Sequence, residues 1–167
     1  DPFRIPAPSP EAALHSAQVL AHIRRSINEA GGWISLADYI NAALYAPGLG
    51  YYVAGAHKFG AGGDFVTAPE LSSLFCQALA AQVEEVLALV PGDVIELGPG
   101  SGKMAADVLE ALAARDSLPQ RYLMLEVSPE LRERQRQTLQ QASPQLLARV
   151  SWIDALPQHW RGVLLAN

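Results

Sequence analysis

After Pro91-Gly92 the chain settles into an alternation that leaves few folds open. Short apolar runs at 94–97, 121–127, 149–153 and 162–166 read as strands, with helical patterns at 103–115 and 129–142 between the earlier ones. Strands that are apolar almost throughout, separated by helices, predict an α/β fold with a parallel sheet covered on both faces. Ligands of such sheets bind at the carboxyl ends of the strands. The chemistry of this chain is therefore expected in the turns that follow its strands.

Upstream the pattern is helical. A first helix is expected over 9–30, capped by Ser9, with Ala13, Ala17, Leu20, Ile23 and Ile27 on its buried face and Gly31-Gly32 at its end. A second should start at Ser35, where "SLAD" resembles a capping box, and stop before Pro47. The stretch 46–67 is rich in glycine and aromatic residues and predicts turns with short extended pieces. Thr67 then reads as the cap of a long helix, with Glu70 at the return position of a capping box. Its apolar stripe would be Leu71, Leu74, Phe75, Ala78, Val83, Val86, Leu87 and Val90. Two regions follow: 1–66, helical and glycine-rich, and 67–167, the first half of a cofactor-binding domain.

Composition narrows the partners. The 167 residues are 50% hydrophobic and carry a formal net charge of −5, which suits a globular domain and gives nucleic acid no electrostatic help. The arginines and glutamates of "LRERQRQTLQQ" read as a solvated helix face. No apolar run reaches the ~20 residues of a membrane span. The single cysteine, Cys76, reads as a buried small side chain rather than a reactive thiol. The four histidines are scattered without metal-ligand spacing. With one cysteine and no signal pattern in "DPFRIPAPSP", a cytoplasmic chain is expected.

The chemistry concentrates in "DVIELGPGSGK", residues 93–103. A P-loop fails at both ends, because Leu97 stands where its first glycine belongs and Met104 follows Lys103. The dinucleotide fingerprint fails by one position, since its third glycine would fall on Lys103. What remains is Glu96, Gly98, Gly100 and Gly102 in the pattern E-x-G-x-G-x-G, with Pro99 inside the turn. An acid two residues before the first glycine repels a pyrophosphate but suits a cationic group. S-adenosylmethionine carries an ammonium and a sulfonium and no phosphate, and a glycine turn lets backbone approach it closely. Glycines also occur in such turns for packing alone.

Two later strand ends extend the reading. "RYLMLEVSPEL" ends a strand in Glu126, followed by Val127 and a helix start at Ser128-Pro129-Glu130, where an acid can take both ribose hydroxyls of a nucleoside. "RVSWIDALP" places Asp154 and Ala155 just past the third strand, where a carboxylate can accept from an adenine amino group and Trp152 or Ile153 can line the ring. Each acid alone also reads as an exposed carboxylate after a strand.

With these residues the sequence resembles class I S-adenosylmethionine-dependent methyltransferases, and more narrowly the MidA family. The likeness rests on "ISLADYINAALYAPGLGYY" (34–52), "GGDFVTAPELSSLF" (62–75) and "VIELGPGSGKMAADVL" (94–109). It implies a Rossmann-like sheet, S-adenosylmethionine as cofactor and arginine on a protein as methyl acceptor. Gly63, Asp64, Thr67, Pro69 and Glu70 match the family's hallmark loop. The resemblance implies Thr67 and Pro69 near the cofactor, with Asp64 and Glu70 as candidates to orient the acceptor nitrogen. Tyr51 and Tyr52 can line a substrate entrance or simply pack. Family sheets have seven strands against four here, so an incomplete domain is expected, with a missing carboxyl-terminal half, no activity of its own, and strand 162–166 at an exposed sheet edge or covered by another chain. A homo-oligomer is compatible with this. Two other classes stay open: an NAD-binding oxidoreductase with a shifted glycine motif, and a non-catalytic assembly factor that keeps the fold.

Overall fold

The computed structural model describes residues 7–53 and 67–167, in two compact units, Asp1–Ala56 and His57–Asn167. In the first, α1 (Pro10–Glu29) and α2 (Leu36–Tyr45) pack on one another. Ser9 Oγ accepts from the Ala12 amide, 3.2 Å. The expected box at α2 forms: Ser35 Oγ accepts from Asp38 N (3.1 Å) and donates to Asp38 Oδ2 (2.6 Å). The buried face of α1 is rotated from the expected one. Ala13, Ala17 and Leu20 are exposed, while His15, Val19, His22, Ile23 and Ile27 turn inward. A polar contact biases that rotation, because the His15 ring bonds the Leu49 carbonyl at 3.0 Å.

The helix expected from Thr67 is two helices. α3 (Ala68–Leu71) ends at Ser72, whose extended backbone (φ −161°, ψ 137°) breaks the ladder, and α4 (Ser73–Leu89) restarts with Ser72 Oγ accepting from Leu74 N at 3.1 Å. Thr67 flanks α3 but makes no side-chain cap bond, so the box with Glu70 does not form. A serine hydroxyl that caps the next turn competes with helix propagation, and here it wins. The expected stripe holds in part, at Val83 and Leu87. Leu71, Leu74, Phe75 and Val86 are exposed, and the inward row is Cys76, Ala80, Val83 and Leu87. Small residues lead that row and let α4 lie close against its neighbour α5. Cys76 is fully buried, and burial pushes its thiol up to about 11, which leaves it inert at neutral pH.

The sheet holds β1 (Asp93–Leu97), β2 (Tyr122–Leu125), β3 (Val150–Ile153) and β4 (Gly162–Ala166), all parallel, in the order β3-β2-β1-β4. Two helices, α5 (Lys103–Ala113) and α6 (Pro129–Ala142), connect the first strands, and a 3-10 turn (Pro144–Arg149) leads into β3. The register puts Val94, Tyr122, Val150 and Val163 in one row. The next row on that face is Leu165, Glu96, Met124 and Trp152. Val94, Tyr122, Met124, Val150 and Leu165 join α4, α5 and Leu139 in the main core. On the opposite face Ile95 and Leu123 are buried, but Leu97, Leu125 and Ile153 are half-buried and Leu164 is exposed. Cover on both faces, expected from the apolar runs, is thus fuller on one face than on the other among the described residues. Among the described residues β4 lies at the sheet edge, as expected, and pairs with β1 alone.

Candidate functional site

The turn from β1 to α5 is built by its glycines for different reasons. Gly98, Gly100 and Gly102 all have positive φ (63°, 54° and 83°), a region L-residues avoid. A side chain on Gly98 would meet nothing within 4 Å, so its glycine serves conformation and leaves open space above the strand. A Cβ on Gly102 would lie 3.0 Å from Gln135 Cα and 3.2 Å from its Cβ and Cγ, so this glycine lets α6 approach the turn. Pro99 is buried, and its carbonyl accepts from Gly102 N at 2.8 Å. Ser101 points its hydroxyl to Glu70 Oε1, which ties α3 to the turn. Pro69 is buried and Thr67 half-buried in the same short element. Asp64 and Gly63, the rest of the hallmark loop, lie outside the described residues.

The three acids do not stand at one level. Glu96 pairs across the sheet with Met124 and Leu165, one pleat repeat below the strand ends, and is fully buried. Tyr122 donates its hydroxyl to Glu96 Oε2 at 2.6 Å. Burial raises the Glu96 carboxyl to about 7, with the tyrosine hydrogen bond pulling the other way. Glu126 and Asp154 lie just past β2 and β3. Glu126 is buried with both oxygens engaged: Ser128 N donates to Oε1 (2.9 Å) and Gln135 Nε2 to Oε2 (3.1 Å). Each oxygen keeps a lone pair, two acceptors side by side. The Asp154 side chain is 85% exposed and paired with Arg132 at 2.6 Å. Val127 and Ala155 are exposed beside them.

One helix face holds these ends together, and sequence reading passed over it. Arg132 donates through Nε to the Glu126 carbonyl (2.7 Å) and through Nη2 to the Ile153 carbonyl (3.3 Å) as well as to Asp154. Gln135 reaches Gly100 O at 3.0 Å, and Thr138 Oγ1 donates to Ser101 O at 2.8 Å. The three residues recur every third position of α6 and thus share a face. That spacing was visible in the sequence, but the exposed arginines around it read as a solvated surface. Trp152 donates its indole N–H to Gln135 Oε1 at 2.8 Å, and the Arg136 guanidinium lies 4.7 Å from its ring centroid. Tyr51 and Tyr52 contact each other edge to face at 5.1 Å, and Tyr52 stacks on Tyr45 at 5.6 Å. Among the described residues no cluster of His, Cys, Asp or Glu can hold a metal ion, and no helix is long and apolar enough to cross a membrane.

A parallel sheet that gathers a glycine turn and a buried acid past its second strand defines a nucleoside-cofactor domain of the methyltransferase type. A family model described as "Putative S-adenosyl-L-methionine-dependent methyltransferase" matches residues 75–167, and the chain belongs to that family. Its curated relatives include the mitochondrial protein arginine methyltransferase NDUFAF7 of Danio rerio, 36% identical over 72% of this chain and 30% of the relative. The Drosophila melanogaster homolog is 33% identical over 81% of this chain and 32% of its own length. A Burkholderia thailandensis protein crystallised with S-adenosyl-homocysteine is 47% identical, with a TM-score of 0.85 over 98% of this chain and 43% of that one. The chain therefore spans about a third of the curated relatives it matches. The resemblance to the MidA methyltransferases stands, and so does the Rossmann-like fold. The cytoplasmic expectation does not, because the curated relatives are named as mitochondrial. One cysteine without a partner looks the same in any compartment, so it carried no weight there.

Proposed function

We propose that this chain forms the S-adenosylmethionine-binding part of a methyltransferase whose acceptor is an arginine of a protein. The observation that carries the reading is Glu126: a buried, oriented carboxylate with two adjacent acceptors left over, beside a glycine turn. Two acceptors side by side match the two hydroxyl donors of a ribose. The dinucleotide fingerprint fails at Lys103, which stands where its third glycine belongs, and that disfavours the NAD-binding alternative.

In this reading Gly98, Pro99, Gly100 and Gly102 shape the cradle, with Thr67 and Pro69 beside it. Glu96 lies buried below it, Glu126 takes the ribose, and Asp154 and Ala155 border the adenine side with Val127. When bound, S-adenosylmethionine brings a methyl group already activated by its sulfonium charge. The chain's residues then have to align the acceptor, exclude water and hold the acceptor nitrogen's charge. Glu70, held at the turn by Ser101, and Asp64 are the candidates for the last task. The domain division at 66/67 and the supply of further acceptor contacts by residues outside this chain belong to the same proposal. Calorimetry on the full-length protein tests it. S-adenosylhomocysteine should bind and NAD should not; NAD binding, or heat from neither, would overturn the reading.

A further inference from the structure

We propose that Gln135 is the positioning residue of the nucleoside site: it fixes the Glu126 carboxylate for a 2′,3′-diol and thereby makes the site selective for ribose. This rests on the cofactor reading above. Gln135 is fully buried on α6, and its amide is used at both ends. Nε2 donates to Gly100 O (3.0 Å) and Glu126 Oε2 (3.1 Å), while Oε1 accepts from the Trp152 indole (2.8 Å). One side chain thus joins the glycine turn of β1, the acid after β2 and the aromatic of β3. The absence of a side chain on Gly102 is what lets Gln135 come so near.

The chemistry requires an amide. A carboxylate at 135 would face Glu126 with like charge and lose the donor to Gly100. An aliphatic side chain would leave a buried carboxylate oxygen, a carbonyl and an indole N–H without their partner, which buried polar groups rarely tolerate. With the amide in place, Oε1 of Glu126 is held by Ser128 N and Oε2 by Gln135. The carboxylate cannot rotate, and its two remaining lone pairs point to fixed places. A vicinal diol satisfies both; a deoxyribose satisfies one.

The test uses Gln135→Leu and the isosteric Gln135→Glu, with Gln137→Ala, an exposed residue two positions along α6, as control. Calorimetry compares S-adenosylhomocysteine with its 2′-deoxy analogue, and the indole N–H resonance of Trp152 reports the local structure without ligand. The parent protein and the control should prefer the ribose ligand. Both Gln135 variants should lose about 10- to 100-fold in affinity, the loss of one hydrogen bond to a charged group. Their preference for ribose should shrink to within about threefold, and the Trp152 resonance should move in the Leu variant. Folded variants with unchanged ribose preference overturn the role of Gln135 while leaving the cofactor reading intact. If Gln135→Leu fails to fold, Gln135→Glu decides alone. Absence of binding by the parent protein removes both proposals together.

Discussion

The two helices that flank the sheet's first crossings, α5 and α6, are held in place by opposite means. α5 buries Met104, Ala105, Ala106, Val108, Leu109 and Leu112, and its contact with the core is apolar along its length. α6 buries only Leu131, Gln135 and Leu139, and the rest of its grip is polar: Arg132, Gln135 and Thr138 each bond a backbone carbonyl of a strand end or of the glycine turn. Apolar burial is strong but indifferent to small rotations, whereas hydrogen bonds are weaker and directional. The first kind of contact suits a helix that holds the domain together. The second suits one that must place a carboxylate to within a few tenths of an ångström.

The division can be broken at its strongest point by Leu109→Ala. A fully buried leucine of α5 should cost about 2–5 kcal/mol, read from urea unfolding, with S-adenosylhomocysteine affinity of the folded fraction unchanged. A cost near zero would show that α5 is not where the stability lies.

Glu96 sharpens the comparison, since it is a carboxylate on the apolar side. Its folded carboxyl stands at about 7 against an ordinary 4.5. Between those values the folded chain keeps a proton that the unfolded chain has released. The associated stability is fully present below 4.5, falls as pH rises through about 7, and levels off above. Every tenfold gain in proton affinity on folding corresponds to about 1.4 kcal/mol. Unfolding of the parent protein minus that of Glu96→Gln should show this decline and nothing comparable outside the window. A flat difference would place the proton elsewhere. The smallest effect belongs to Arg132→Ala on α6. Removing its bonds to the Glu126 and Ile153 carbonyls should cost about 1–2 kcal/mol, since the partner Asp154 is in water and their ion pair adds little. A loss as large as that of Leu109→Ala would erase the distinction between the helices.

Much of this was legible because it is local. The strand and helix alternation, the start of α6 at Pro129 and its end at Ala142, and the three glycines all follow from neighbouring residues. What failed did so where distant contacts decide. Thr67 looked able to cap with Glu70 at the return position, and only the fold shows Glu70 drawn away to Ser101. The expected stripe followed residue size, but Leu74 and Phe75 on α4 are 70% and 38% exposed while Cys76 and Ala80 are buried. Glu96 looked like a strand-end acid until the register put it level with Met124. The spacing of Gln135 with Arg132 and Thr138 was there to read, but a glutamine among arginines shows its worth only when three separate elements converge on it.

The outer margin of β4 has a practical consequence. "GVLLA" carries no charge and no proline, and among the described residues nothing lies hydrogen-bonded along its far side. A bare ribbon of peptide groups recruits whatever extended backbone it meets. Purified at high concentration in this form, the polypeptide should grow turbid on standing, and a single lysine at Leu164 is the economical remedy.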